Sequence, residues 1–179
     1  MKKLSLHHIL SLCVALFILT GCDSNDPDDP ETIVGSFEIQ VTGDVTQNIS
    51  GNQASFGAAT DPQTGLTGFG LAMGATGGTS QSLTVSRKGA RPGNGNHTIA
   101  DFSLDTDLDT INDDTFIVVY STGTDVFYSS GGTLSISSSS DRNLEGSINL
   151  TARSVLPNST DEITITGSFT AVGLDLSNQ

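Results

Sequence analysis

The sequence contains little of what many binding and catalytic proteins need. It has no tryptophan, two tyrosines, two cysteines and seven basic residues against 20 acidic ones among 179, for a net charge of −13. Phosphate recognition needs clustered lysine and arginine, so nucleic acids and anionic lipid surfaces are disfavoured as partners. The few tyrosines leave little for sugar stacking, and the phenylalanines are needed for a core. We therefore keep sugar binding only as a minor alternative.

The N-terminus has the three regions of a secretory signal. Lysines at positions 2 and 3 precede an apolar stretch over 9–19, which ends in Leu19-Thr20-Gly21-Cys22. The apolar stretch is shorter than the roughly 20 residues that a transmembrane helix needs. Residues 1–21 are therefore predicted to be a signal peptide that is removed, not a membrane span.

Leu19-Thr20-Gly21-Cys22 resembles the lipobox of bacterial lipoproteins. The resemblance implies that signal peptidase II exposes Cys22 as the mature N-terminus, carrying acyl chains of the palmitate type; two or more chains anchor a protein stably. The alternative is an ordinary secretory signal with a chance cysteine. Because Cys13 would leave with the signal and Cys22 would carry lipid, no intrachain disulfide is expected. Five basic and 20 acidic residues would remain, a charge of −15.

Residues 22–32 are predicted to form an acidic, disordered linker behind the lipidated cysteine. Five acids and two prolines lie within 23–31, with no apolar side chain to bury. The segment resembles the acidic export signals of surface lipoproteins in the Bacteroidota, which implies the outer membrane or cell surface. Aspartate directly after the cysteine also resembles a proteobacterial signal for retention in the inner membrane. We favour the outer membrane or surface.

Residues 33–179 are predicted to form a single all-β domain. Apolar and polar residues alternate over 37–42, 69–73, 83–86 and 163–171, which is typical of half-buried strands, and the apolar stretch 116–120 predicts a central strand. Turn signals rich in glycine, proline and asparagine separate these segments. The pattern predicts an antiparallel sandwich or barrel of eight to ten strands.

The C-terminal half resembles a known group of proteins. The strands predicted over 132–137, 144–152 and 163–171 are similar to the closing meander of small β-rich lipoproteins of unknown function in the Bacteroidota and their relatives. The resemblance implies a fold but no catalytic residues. Gly35, Gly146 and Gly167 each open an alternating strand, where glycine would permit a bend or bulge.

One acidic stretch is a candidate for a weak Ca²⁺ site, because Ca²⁺ prefers six to eight oxygen ligands. Its spacing imitates the start of an EF-hand loop, but Thr110 stands where glycine belongs and Phe116 where the bidentate glutamate belongs. A solvated acidic loop is the favoured interpretation. The candidate ligands are Asp101, Asp105, Asp107, Asp109, Asp113 and Asp114.

The remaining polar motifs point away from catalysis. His97 is the one histidine after the signal, and no Gly-x-Ser-x-Gly motif presents a serine to it; we expect it near a strand start, partly exposed. Arg87, Lys88 and Arg91 could bind an anion, but a turn whose charges are solvated or offset the acidic stretch is the favoured interpretation.

The sequence therefore predicts a lipid-anchored cell-envelope protein that acts as a non-enzymatic binding or structural module. It implies no cofactor other than the weak Ca²⁺ site. The membrane that holds the lipid is the one partner implied by the sequence, nucleic acid is not expected, and a protein or small-molecule partner is not identified. Two alternatives stay open: a barrel that carries a small apolar ligand, and an envelope enzyme without recognisable motifs.

Overall fold

The structure is a computed structural model that describes residues 35–61, 65–75, 81–102 and 114–174. These residues contain ten β-strands and no helix, as the alternating pattern predicts. The strands are β1 (Ser36–Gly43), β2 (Gln47–Gly51), β3 (Gln53–Thr60), β4 (Thr67–Gly74), β5 (Ser82–Lys88), β6 (Gly95–Asp101), β7 (Ile117–Ser121), β8 (Val126–Ser139), β9 (Asn143–Ser154) and β10 (Glu162–Gly173).

Seven of the strands close into a barrel, in the order β10-β3-β4-β5-β7-β8-β9 and back to β10. The pairings around the ring are antiparallel except between β10 and β3, where Val172 pairs with Ser55 and Gly173 with Phe56 in parallel. The predicted all-β class and the number of strands are confirmed. Closure removes free strand edges around the ring, and such edges would otherwise recruit other chains.

The three remaining strands extend one side of the barrel. β1 pairs with β10, and β2 pairs with β1. β6 pairs with residues 130–136 of β8, next to residues 126–128, which pair with β7. The order β2-β1-β10-β9-β8-β6 thus forms a six-stranded antiparallel surface, which we call the front sheet. Its inner face lies on the core and its outer face carries the polar residues of the alternating pattern.

The barrel interior is filled by apolar side chains that form one cluster of 26 buried residues. In β1, Phe37, Ile39 and Val41 are buried while the residues between them are exposed, as predicted. The ring of Phe69 packs against those of Phe56 and Phe116, with centroids 6.3 and 6.1 Å apart. Each large side chain buried in this way contributes about 1.5–3 kcal/mol, so burial stabilises the domain without a disulfide.

One buried tyrosine brings a hydroxyl to the edge of this core. Tyr120 in β7 is 1% exposed, and its hydroxyl accepts a hydrogen bond from the Gln47 amide. Gln81 donates to the Gln47 carbonyl oxygen over 2.8 Å. Burial raises the pKa of Tyr120 to about 12, and the Gln47 hydrogen bond lowers it in part. The buried hydroxyl thus has a hydrogen-bond partner in Gln47, which Gln81 binds in turn, and such a partner offsets the cost of burying a polar group.

Of the three glycines expected to open strands, only Gly35 directly precedes one, whereas Gly146 and Gly167 lie inside β9 and β10. All three lie where a neighbouring backbone comes close. A Cβ on Gly167 would lie 2.2 Å from the Glu38 carbonyl oxygen, and one on Gly146 would lie 2.3 Å from that of Ser135. Gly35 has the same constraint against Ala54. The bulge expected at these glycines is not found at Gly146 or Gly167; the register shift beside Gly146 lies on β8, between Ile136 and Ser138. Glycine is needed at these positions chiefly for close strand approach.

Candidate functional site

A groove of about 470 Å³ lies on the outer face of the front sheet. This volume falls within the range of about 300–1,000 Å³ that is usual for small-molecule sites. Five hydroxyl side chains and two carboxylates line it, and the buried Phe37 and Phe169 lie beneath. The lining residues are Ser36, Phe37, Glu38, Ser50, Ser137, Glu145, Gly146, Ser168, Phe169 and Thr170.

The strand register places two glutamates on opposite sides of short polar side chains. Glu38 of β1 pairs with Ser168 of β10, and Thr170 of β10 pairs with Glu145 of β9. The glutamates are thus two strands apart and offset by two residues. Strand spacing of about 4.8 Å and a rise of about 3.4 Å per residue put their Cα atoms about 12 Å apart.

A bulge in β8 contributes to the shape of the groove. Ile136 pairs with Gly146 and Ser138 with Glu145, so Ser137 is the extra residue. Bulges bend a strand and re-aim a side chain, and the Ser137 hydroxyl donates to the Glu145 carbonyl oxygen over 3.2 Å. Gly146 leaves room for the ring of Phe169, whose Cζ would lie 3.0 Å from a Cβ at that position.

The two groove carboxylates differ in how they are held. Asn143 donates from its side-chain amide to Glu145 Oε1 over 2.6 Å. Within the described residues, the Glu38 side chain has no hydrogen bond or ion pair and is exposed. No lysine or arginine belongs to the lining. The groove therefore combines hydroxyl donors and acceptors with two negative charges that no basic side chain of the groove neutralises.

The acidic stretch is described only at its two ends. Asp101 forms an ion pair with Arg153 over 2.9 Å, and Asp114 lies 3.7 Å from Arg87. A parallel bridge between Ile99 and Phe116 brings these ends together. The other four candidate ligands, Asp105, Asp107, Asp109 and Asp113, lie outside the described residues. Among the residues that are described, no group of three or more potential metal ligands occurs.

The basic residues at the end of β5 and in the β5–β6 turn have local partners. The Arg87 side chain is 10% exposed, donates to the Ala90 carbonyl oxygen over 2.6 Å and lies over the Phe116 ring at 5.2 Å. Arg91 pairs with Asp141 over 2.7 Å, and Lys88 also has an interaction partner. Arg87 and Lys88 end β5, and only Arg91 lies in the turn. Arg87 offsets Asp114 of the acidic stretch, as expected, but packs against an aromatic ring and is not solvated, and Arg91 pairs with an aspartate outside that stretch.

His97 lies near the start of β6 and is partly buried, as expected. Its Nε2 lies 2.8 Å from the Gly93 carbonyl oxygen, and its ring packs edge-to-face with that of Phe116, with centroids 5.6 Å apart. These contacts give the ring a structural role between a turn and the core.

The predicted anchor lies outside the described residues, because Cys22, residues 1–21 and the linker all precede residue 35. In the ranges that the structure does describe, there is no helix with the length and apolar character to cross a membrane.

Sequence reasoning did not find the groove. Alternation identifies Glu38, Glu145 and Ser168 as outward-facing, but not as neighbours, since they are far apart in the chain and only the β1-β10-β9 register brings them together. Comparison with known proteins adds no further assignment: no protein-family model, no curated protein and no solved structure matches this chain.

Proposed function

We propose that this chain is a lipid-anchored cell-envelope lipoprotein whose β-barrel acts as a non-enzymatic binding module through its outer groove. The tether rests on the signal pattern of residues 1–21 and on Cys22 at the end of the lipobox. The binding role rests on one structural observation. The described barrel interior is a packed apolar cluster, while a groove of small-molecule size lies outside on the front sheet.

Two observations concern the alternatives, a barrel that carries an apolar ligand and an envelope enzyme. A carrier of a small apolar ligand needs interior space, whereas Phe69 packs against both Phe56 and Phe116 inside the barrel. A hydrolase that used His97 would need a nucleophilic side chain beside the ring, and within the described residues the one hydrogen-bond partner of the His97 ring is the Gly93 carbonyl oxygen. Both observations support a binding or structural module.

The outer membrane or cell surface is the proposed location. The acidic residues after Cys22 support it through their similarity to surface export signals, and the inner membrane is the competing location. A charge of −15 without the signal would keep the domain soluble beside the membrane.

Fractionation of cells tests this proposal. Wild-type protein should be found with the membranes, and with the outer-membrane band of a density gradient, while Cys22→Ser should move it to the soluble fraction. Cys13→Ser is the matched control and should leave the membrane association unchanged. Membrane association of the Cys22→Ser protein at the wild-type level would contradict the lipid tether, and an inner-membrane band would contradict the location alone.

A further inference from the structure

Unlike four other acidic side chains, among them Glu162 at 4.0 Å from Arg153, the groove carboxylates have no arginine or lysine partner among the described residues. Asp101, Asp114 and Asp141 each lie within 4 Å of an arginine nitrogen. Glu38 has no such partner among the described residues, and Glu145 is bound only by the neutral amide of Asn143. Four of the five arginines and lysines after the signal have a partner elsewhere, and none lines the groove.

The groove thus complements a positive charge in both electrostatics and hydrogen bonding. An ammonium group has three donors and no acceptor. Carboxylates accept charge-assisted hydrogen bonds from it, and the hydroxyls of Ser36, Ser168 and Thr170 between them can accept the remaining N–H groups. An anionic ligand would meet two like charges instead.

We propose that the groove binds a linear organic cation with two or more ammonium groups, such as a polyamine, between Glu38 and Glu145. This inference rests on the proposed function, because it takes the groove as the binding site and names its ligand class. A chain with ammonium groups at both ends can span glutamates on Cα atoms about 12 Å apart, and the 470 Å³ of space suits a molecule of that size.

The same geometry argues against a bare divalent cation. Ca²⁺ needs six to eight oxygens at about 2.3–2.6 Å around one point. The two glutamates lie on strands that β10 separates. The Asn143 side-chain amide binds the Glu145 carboxylate and keeps it near β9. The two carboxylates are therefore poorly placed to converge on one ion, whereas a polyamine can meet each carboxylate with a separate nitrogen.

Isothermal titration with spermidine tests the inference, using full-length protein in a non-ionic detergent at fixed ionic strength. The test variant is Glu38→Gln with Glu145→Gln, which keeps side-chain size and removes both charges. The control is Asp161→Asn with Glu162→Gln, which removes the same charge just before and at the first residue of β10, away from the groove, together with the 4.0 Å ion pair of Glu162 with Arg153. An exposed ion pair of up to about 1 kcal/mol corresponds to about fivefold in affinity. We expect a loss of about 25-fold in the groove variant and of less than twofold in the control.

Four results would overturn the inference. Equal losses in both double variants would mean attraction to the overall negative charge, and absence of spermidine binding at millimolar concentration would mean no amine site. Binding of Ca²⁺ in the groove with the same dependence on Glu38 and Glu145 would mean a metal site. Binding of a tetralysine peptide without spermidine binding would mean a peptide surface. Both double variants should remain with the membranes, so failure here is distinguishable from failure of the lipid tether.

Discussion

Replacement of Gly167 by alanine probes the pairing that builds the groove. The added Cβ would lie 2.2 Å from the Glu38 carbonyl oxygen and 2.8 Å from the Ile39 Cα, both of them backbone atoms. Ordinary contact begins near 3.4 Å, so β1 would have to move away from β10 by about 1 Å. Overpacking of this kind costs about 1–3 kcal/mol. For a domain of this size each kcal/mol lowers the melting temperature by about 2–4 °C, so we expect a decrease of about 2–12 °C.

Gly70→Ala is the matched control for this experiment. Gly70 also lies within a strand, yet a Cβ there would meet nothing within 4 Å. Because alanine reduces the conformational entropy of the unfolded chain, this change should be neutral or stabilising by up to about 1 kcal/mol. Thermal and urea unfolding of both variants gives the comparison. Equal stability of the Gly167→Ala and Gly70→Ala proteins would refute the close β1–β10 approach and the register that places Glu38 beside Ser168.

Two further predictions concern titration and metal binding. Burial raises the pKa of Tyr120 to about 12, from about 10 when unfolded. Its contribution of about 2–3 kcal/mol to the free energy of unfolding is therefore present below pH 10 and lost as the pH rises through 12. Urea unfolding should show this loss in wild type and not in Tyr120→Phe, and a parallel loss in both proteins would contradict the prediction. If the acidic stretch binds Ca²⁺, the ion at ten times its dissociation constant adds about 1.4 kcal/mol and should raise the melting temperature by about 3–6 °C at fixed ionic strength. Replacing Asp105, Asp107 and Asp109 by asparagine should abolish that rise, and identical wild-type melting with Ca²⁺ and with chelator would exclude the site.

The sequence was sufficient to predict the all-β class and most of the strands, but not β2, β3 or the order of the strands. Period-two alternation identified the buried faces because the side-chain period of a strand is fixed by its backbone, and Phe37, Ile39 and Val41 are buried as that rule requires. Closure depends on the parallel pairing of Val172 and Gly173 with β3. That contact joins residues more than 100 positions apart and leaves no local signal in the sequence.

The groove could not be predicted for the same reason. Glu38 and Glu145 are unremarkable outward-facing residues in their own strands, and they face one groove only because β10 lies between them. Conversely, the acidic stretch was conspicuous in the sequence, and its described ends, Asp101 and Asp114, lie beside Arg153 and Arg87. Composition identified charge, but only the fold decides which charges have partners.

The central claim, that the barrel is tethered through a lipid on Cys22, is tested most directly by mass spectrometry of the N-terminal peptide from membrane-purified protein. The account predicts a chain that begins at Cys22 and carries the mass of at least two acyl chains. A mature N-terminus at any other residue, or Cys22 with a free thiol, would contradict it.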